Sequence, residues 1–224
     1  MIQTIEASPD EIYDIELEHS LLEANARLAK ANRALLDGKG VTAIDVMGAI
    51  GSGKTTLIGQ LVARLKGRFG IAVFNGDATT STDADLIASQ SVPVVQIATV
   101  NGCHLDANLV GKALQKISLE KLRLIFIENI GNLICPAEFP LGSKARVVVV
   151  SVTEGPYMVR KHPHMFLGAQ LVVINKVDLA EAMGVSVAEL IQDVHRLKPD
   201  IQVVSTSCKT GDGLDEVTAA LLAV

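Results

Sequence analysis

Gly48-Ala49-Ile50-Gly51-Ser52-Gly53-Lys54-Thr55, continued by Thr56, has the residue types and spacing to do chemistry. The stretch reads G-x-x-x-x-G-K-T and stands between an apolar run, Val41 to Met47, and a helix-like one, the context in which this spacing binds phosphate. Glycines at 48, 51 and 53 let consecutive backbone N–H groups turn inward as an anion nest, and the start of the following helix adds partial positive charge. Lys54 is then the cation for the β- and γ-phosphates, and the Thr55 hydroxyl is a ligand of the magnesium ion that bridges them. Ile50, Ser52 and Thr56 complete the stretch expected to wrap the nucleotide.

Magnesium calls for carboxylates near Thr55. Asp77 follows the run Ile71 to Phe74 and Glu128 follows Leu122 to Ile127, with Asp83 a weaker third. Asp77 and Glu128 are the acids expected to face the metal and the attacking water, directly or through waters, so that Lys54, Asp77 and Glu128 form the expected catalytic set. Each acid could instead cap a helix or lie in solvent. Asn175-Lys176-Val177-Asp178, after the run Leu171 to Ile174, matches N-K-x-D. The Asp178 carboxylate can accept two hydrogen bonds from the guanine N1–H and exocyclic amine, which adenine does not offer; the Lys176 stem can lie along the base, and Asn175 can tie its loop to the phosphate loop.

A second group of residues does not belong to nucleotide chemistry. Cys103 and His104 follow the run ending at Ala98, and Cys135 follows the strand carrying Glu128. If those strand ends are adjacent, two thiolates and an imidazole meet, a borderline-soft set suited to zinc or nickel. The spacing alone equally allows buried cysteines beside a helix-capping histidine.

A scaffold must present all these groups together. Strand-like runs at 41–47, 71–74, 93–98, 122–127, 146–152, 171–174 and 201–204 alternate with helical patterns, which means βαβ units and a mainly parallel, doubly wound sheet. Ligands of such sheets sit beyond the carboxyl ends of the strands, where Gly48, Asp77, Glu128, Glu154 and Asn175 all fall. Ahead of the first strand, Ser8-Pro9-Asp10-Glu11 starts a long helix that Gly38 should stop. Its Leu17, Leu21, Ala24, Leu28, Ala31 and Leu35 share one stripe, expected to dock on the same chain, the alternative being a second protomer. With no internal repeat or linker, residues 1–224 read as one domain, 1–38 being a lead-in and a helix packed on it.

Hydrophobic residues make up 49% of the 224 and aromatic ones only 3%, with no tryptophan. That composition favours a Val, Ile, Leu and Ala core around a sheet buried on both faces over a surface for stacking bases. A net charge of -5 offers no face to neutralise a nucleic acid backbone, so no nucleic acid partner is expected. No apolar run approaches the roughly 20 residues that span a bilayer, so no membrane association is expected and the chain reads as cytoplasmic.

Several motifs together carry a family resemblance. The N-K-x-D match resembles the GTPase superfamily, and Ser207-Cys208-Lys209 resembles its last motif, S-A-K, with Cys208, read as a small buried residue, in the Ala place. Glu128 is followed by Gly131 where GTPases carry D-x-x-G, but no catalytic glutamine or arginine finger is evident, so intrinsic hydrolysis should be slow. The phosphate loop, G-C-H-L-D-A, E-N-I-G-N-L-I-C-P-A and V-V-I-N-K-V-D-L together resemble the nickel-insertion GTPases of hydrogenase maturation, the HypB type. The resemblance implies a P-loop NTPase fold of the SIMIBI type. It also implies a GTP-hydrolysing metallochaperone that dimerises with GTP and holds Ni2+ or Zn2+ at the subunit interface through Cys103, His104 and Cys135. Maturation proteins and the hydrogenase large subunit are the implied partners.

Many members of that family begin with C-x-x-C-G-C or a His-rich tract. Neither is present here, so an N-terminal nickel store is not expected. His162 and His164 stand in a loop where the family usually carries K-Y-P-x-M-F, and they read as solvated loop residues, the alternative being extra ligands. Two readings compete: a related GTPase serving urease or a B12-dependent mutase, with structural cysteines, and a nucleotide kinase that keeps only the phosphate loop.

Overall fold

The computed structural model describes residues 9–76, 91–97, 104–132 and 138–223, with side chains from residue 20 onward. Its sheet has strands β1 (Thr42–Met47), β2 (Ile71–Asn75), β3 (Val94–Gln96), β4 (Leu124–Glu128), β5 (Ala145–Ser151), β6 (Leu171–Asn175) and β7 (Gln202–Ser205). Every pairing is parallel, in the order β3-β2-β4-β1-β5-β6-β7. The seven apolar runs thus become seven strands, each within about two residues of its expected ends. Strands β2, β4 and β6 are buried along their whole length, which is why they read as continuous apolar runs rather than alternating ones.

Helices α2 (Lys54–Leu65) and α7 (Leu214–Ala223) cover one face, closing a core that includes Leu57, Leu61, Phe126, Val149 and Leu214. On the other face α1 (Pro9–Lys39) and α3 (Ala107–Leu114) cover the β2 and β4 side. Two short helices, α4 (Met158–Lys161) and α5 (Pro163–Leu167), cover the β5 and β6 side with α6 (Val187–Leu197). Among the described residues no helix is long and apolar enough to cross a membrane.

Helix α1 departs from expectation in two ways. It runs through Gly38 to Lys39, and the stop is Gly40, whose φ of 63° suits glycine and lets Gly40 N–H and Val41 N–H bond back to the Asp37 and Leu36 carbonyls. The leucine stripe does not dock on the same chain either: Leu21, Leu28 and Leu35 are 56%, 43% and 43% exposed. The helix instead buries Asn25, Ala29, Asn32 and Leu36. Buried backbone groups decide this orientation. Asn25 accepts from Ala107 N–H at 2.7 Å and donates to the Pro140 carbonyl at 2.9 Å, while Asn32 donates to the Ala107 and Leu141 carbonyls at 2.7 and 3.1 Å. A leucine face would leave those groups unsatisfied, at about 1–3 kcal/mol each.

His164 also departs from the expected loop, since it lies inside α5, while His162 sits between α4 and α5.

Candidate functional site

The phosphate loop joins the end of β1 to α2. Gly48, Gly51 and Gly53 have φ of 153°, 77° and 97°, all in the region open to glycine. A Cβ at 48 would strike the Val149 carbonyl, and one at 53 the Asn175 side chain. Gly53 is the N-cap of α2 and makes no side-chain capping bond, and the start of a helix is the end that favours an anion. Lys54 is buried and its ammonium donates to the Gly48 and Ala49 carbonyls at 3.1 and 3.0 Å. Ser52 is buried and Ile50 is 85% exposed.

Asn175, at the end of β6, is the hub of the side expected to read the base. Its amide donates to the Ser52 carbonyl at 2.9 Å, and its oxygen accepts from Lys176 N–H at 2.8 Å and Cys208 N–H at 3.1 Å. Lys176, with φ of 62°, donates from its ammonium to the Gly51 carbonyl at 2.6 Å. Asp178 stands exposed on the following turn, Val177–Leu179. Ser207 is buried, its carbonyl accepting from Gly211 N–H, and Lys209 is exposed. Cys208 is the small buried residue expected, and burial pushes its thiol up to about 11, against the weaker pull of Asn175 and Arg64.

On the side of the loop where magnesium is expected, the Thr55 hydroxyl donates to Glu128 Oε1 at 2.5 Å, and Glu128 is 2% exposed at the end of β4. Two oxygen donors so placed fit a hard cation such as magnesium. Asp77 and Asp83 lie outside the described residues. Gly131 packs against the phosphate loop so closely that a Cβ there would stand 2.9 Å from Ile50 N. Glu154, beyond β5, lies near enough to Lys54 and Lys176 for their charges to act on it. Burial pushes its carboxyl above the usual range, while the Ser151 N–H bond and the charges of Lys54 and Lys176 draw it back.

The route by which Cys103, His104 and Cys135 were expected to meet needs correcting. Strands β3 and β4 are not neighbours, because β2 lies between them. The two segments approach by other contacts. Leu105 N–H donates to Asn129 Oδ1 at 3.3 Å, and the His104 ring stacks on Phe139 with centroids 3.9 Å apart. Cys103 directly precedes His104, and Cys135 stands four residues before Phe139; both cysteines lie outside the described residues. Burial lowers the pKa of His104 more than Asp106 raises it, which favours the neutral imidazole a metal requires. Among the described residues no three metal-binding side chains cluster.

Residues 42–205 match the family model described as the CobW/HypB/UreG nucleotide-binding domain. A probable hydrogenase maturation factor HypB of Methanocaldococcus jannaschii is 47% identical over 203 residues, covering 91% of this chain and 92% of its own. The chain belongs to the HypB family of hydrogenase maturation factors. Two solved HypB structures agree with it. The Archaeoglobus fulgidus factor superposes with a TM-score of 0.85 at 41% identity over 90% of this chain and 98% of that one. The Helicobacter pylori factor, solved in complex with nickel, gives 0.84 at 33% identity over 89% and 94%. The SIMIBI-type P-loop NTPase fold expected of the HypB family is therefore the fold of this chain.

Sequence reasoning named Asn175 but gave no role to Asn129, Asp45 or Arg146. Asn129, 1% exposed, donates to Asp45 Oδ1 at 3.1 Å, and Asp45, fully buried in β1, is ion-paired to Arg146 Nε at 3.1 Å. Burial pushes the Asp45 carboxyl up, and Arg146 and Asn129 pull it down. A lone carboxylate in the otherwise apolar run Ala43-Ile44-Asp45-Val46 is the signal that could have led there, since a buried charge demands a partner.

Proposed function

We propose that residues 1–224 act as one GTPase domain, a cytoplasmic metallochaperone that carries nickel or zinc as cargo and assists nickel insertion into [NiFe] hydrogenase. The observation that carries the nucleotide assignment is Asn175, which bonds the Ser52 carbonyl of the phosphate loop and Cys208 N–H, uniting three nucleotide motifs in one pocket. Lys54 and the loop amides hold the β- and γ-phosphates, and Asp178 reads guanine. Thr55 and Glu128, with Asp77, would hold magnesium, which when bound neutralises charge developing on the phosphates. The attacking water is oriented from the Glu128 side of the pocket; its oxygen bonds the γ-phosphorus as the bond to the β-phosphate oxygen breaks.

His104 supports the cargo assignment, since it lies beside Phe139, four residues beyond Cys135. The Leu105–Asn129 bond joins this segment to the residue following Glu128, so a change at the γ-phosphate has a short route to the cargo ligands. Dimerisation with GTP would bring two such sites together, and maturation proteins and the hydrogenase large subunit are the proposed partners.

Phosphate release measured with GTP and ATP tests the nucleotide reading. Slow turnover of GTP alone is expected, with Asp178→Asn moving preference to xanthosine triphosphate; equal use of ATP would reject guanine specificity. Calorimetry with Ni2+ and Zn2+ tests the cargo site, because Cys103→Ala should lose affinity and an unchanged value would remove the site.

A further inference from the structure

The end of the sheet opposite the phosphate loop carries a second pocket. It has a volume of about 450 Å3, the size of a small-molecule site, and lies between α1 and the chain entering β5. Four cationic residues are among its lining, Lys30, Arg33, Lys144 and Arg146, and no acidic residue is. In a chain of net charge -5 such a concentration is not a property of the surface at large.

The walls are built. Helix α1 grips the loop before β5 through Asn25 to the Pro140 carbonyl, Asn32 to the Leu141 carbonyl and Arg33 Nη1 to the Ser143 carbonyl at 3.0 Å. Gly142, with φ of 92°, comes so close to α1 that a Cβ would stand 2.6 Å from the Ala29 carbonyl oxygen. The Arg146 side chain, 13% exposed, is fixed on Asp45.

Charge accounting then gives the ligand. Arg33 is paired with Asp37 at 2.9 Å and Arg146 with Asp45 at 3.1 Å, whereas Lys30 and Lys144 are in no ion pair among the described residues. Two positive charges remain. Ala26, Ala29 and Leu141 add apolar wall, which suits a short carbon body. We propose that this pocket binds a small organic dianion, its two negative charges met by Lys30 and Lys144 and its oxygens by the arginine edges. The chemistry is shared by dicarboxylates and phosphate monoesters.

Calorimetric titration at constant ionic strength with glutarate and with phenyl phosphate distinguishes these sources. One saturable site per chain is expected for at least one probe, the tighter probe naming the class. Lys30→Ala with Lys144→Ala should weaken that binding about tenfold or more, and Lys54→Ala should leave it unchanged. Both lysines are exposed, so the double variant keeps the fold. Absence of saturation by about 10 mM with either probe, binding that ignores the lysine changes, or binding lost with Lys54 would each overturn the proposal.

Discussion

Two buried asparagines, each just past or at the end of a strand, hold the two halves of the nucleotide pocket, and they do it differently. Asn175 bonds main-chain groups at Ser52, Lys176 and Cys208 and, among the described residues, no charged side chain. Asn129 takes two main-chain N–H groups, of Leu105 and Ile130, but spends its own amide on the buried Asp45 carboxylate. One hub therefore fastens loop to loop, while the other is anchored to a charge inside the sheet. A neutral hub can fail locally, whereas the charged one transmits any loss to Arg146 on the far side of β1.

The largest expected effect comes from removing the anchor. Asp45→Ala leaves Arg146 largely buried without its carboxylate and should lower stability by about 3–5 kcal/mol in denaturant titration; a loss under about 1 kcal/mol would erase the distinction between the hubs. Next comes Asn175→Ala, which orphans three bonds and should cost about 2–3 kcal/mol together with about tenfold or more in GTP affinity, read by a fluorescent nucleotide. Asn129→Ala should cost about 1–2 kcal/mol and weaken Ni2+ binding more than GTP binding. The reverse order of the two affinities would mean that Asn129 serves the phosphates alone.

The smallest effect is a labelling rate. With its thiol pushed up to about 11, Cys208 should resist iodoacetamide at pH 8 and react only as pH climbs toward that value, as peptide mapping would show. The sign follows from the raised value: the folded state retains the thiol proton, and the associated stability is present below the ordinary thiol range of about 8.5 and lost as pH rises toward about 11. Rapid alkylation at pH 8 would show the base-side hub to be open.

The phosphate loop, N-K-x-D and Glu128 were legible in the sequence because each motif's chemistry fixes residue type and spacing at a strand end. The seven strands were legible because burial on both faces writes continuous apolar runs. The strand order was not, and for that reason the Cys103 and Cys135 segments were expected on neighbouring strands when β2 divides them. Nor was the docking face of α1, since a stripe of leucines is visible in sequence while the need of the Ala107, Pro140 and Leu141 backbone groups for amide partners exists only once they are buried. Phe139 carried no motif at all, and only its stacking on His104 gives it meaning.

The Asp45–Arg146 pair also constrains how this chain can diverge. Replacing either residue alone leaves a buried charge behind, so drift through single steps passes a deep stability trough. Replacing both with apolar residues of matching volume removes the problem in one move. In an alignment the two positions should therefore change as a couple, across a β1–β5 register that places residue 45 beside residue 146 although about a hundred positions separate them in the chain.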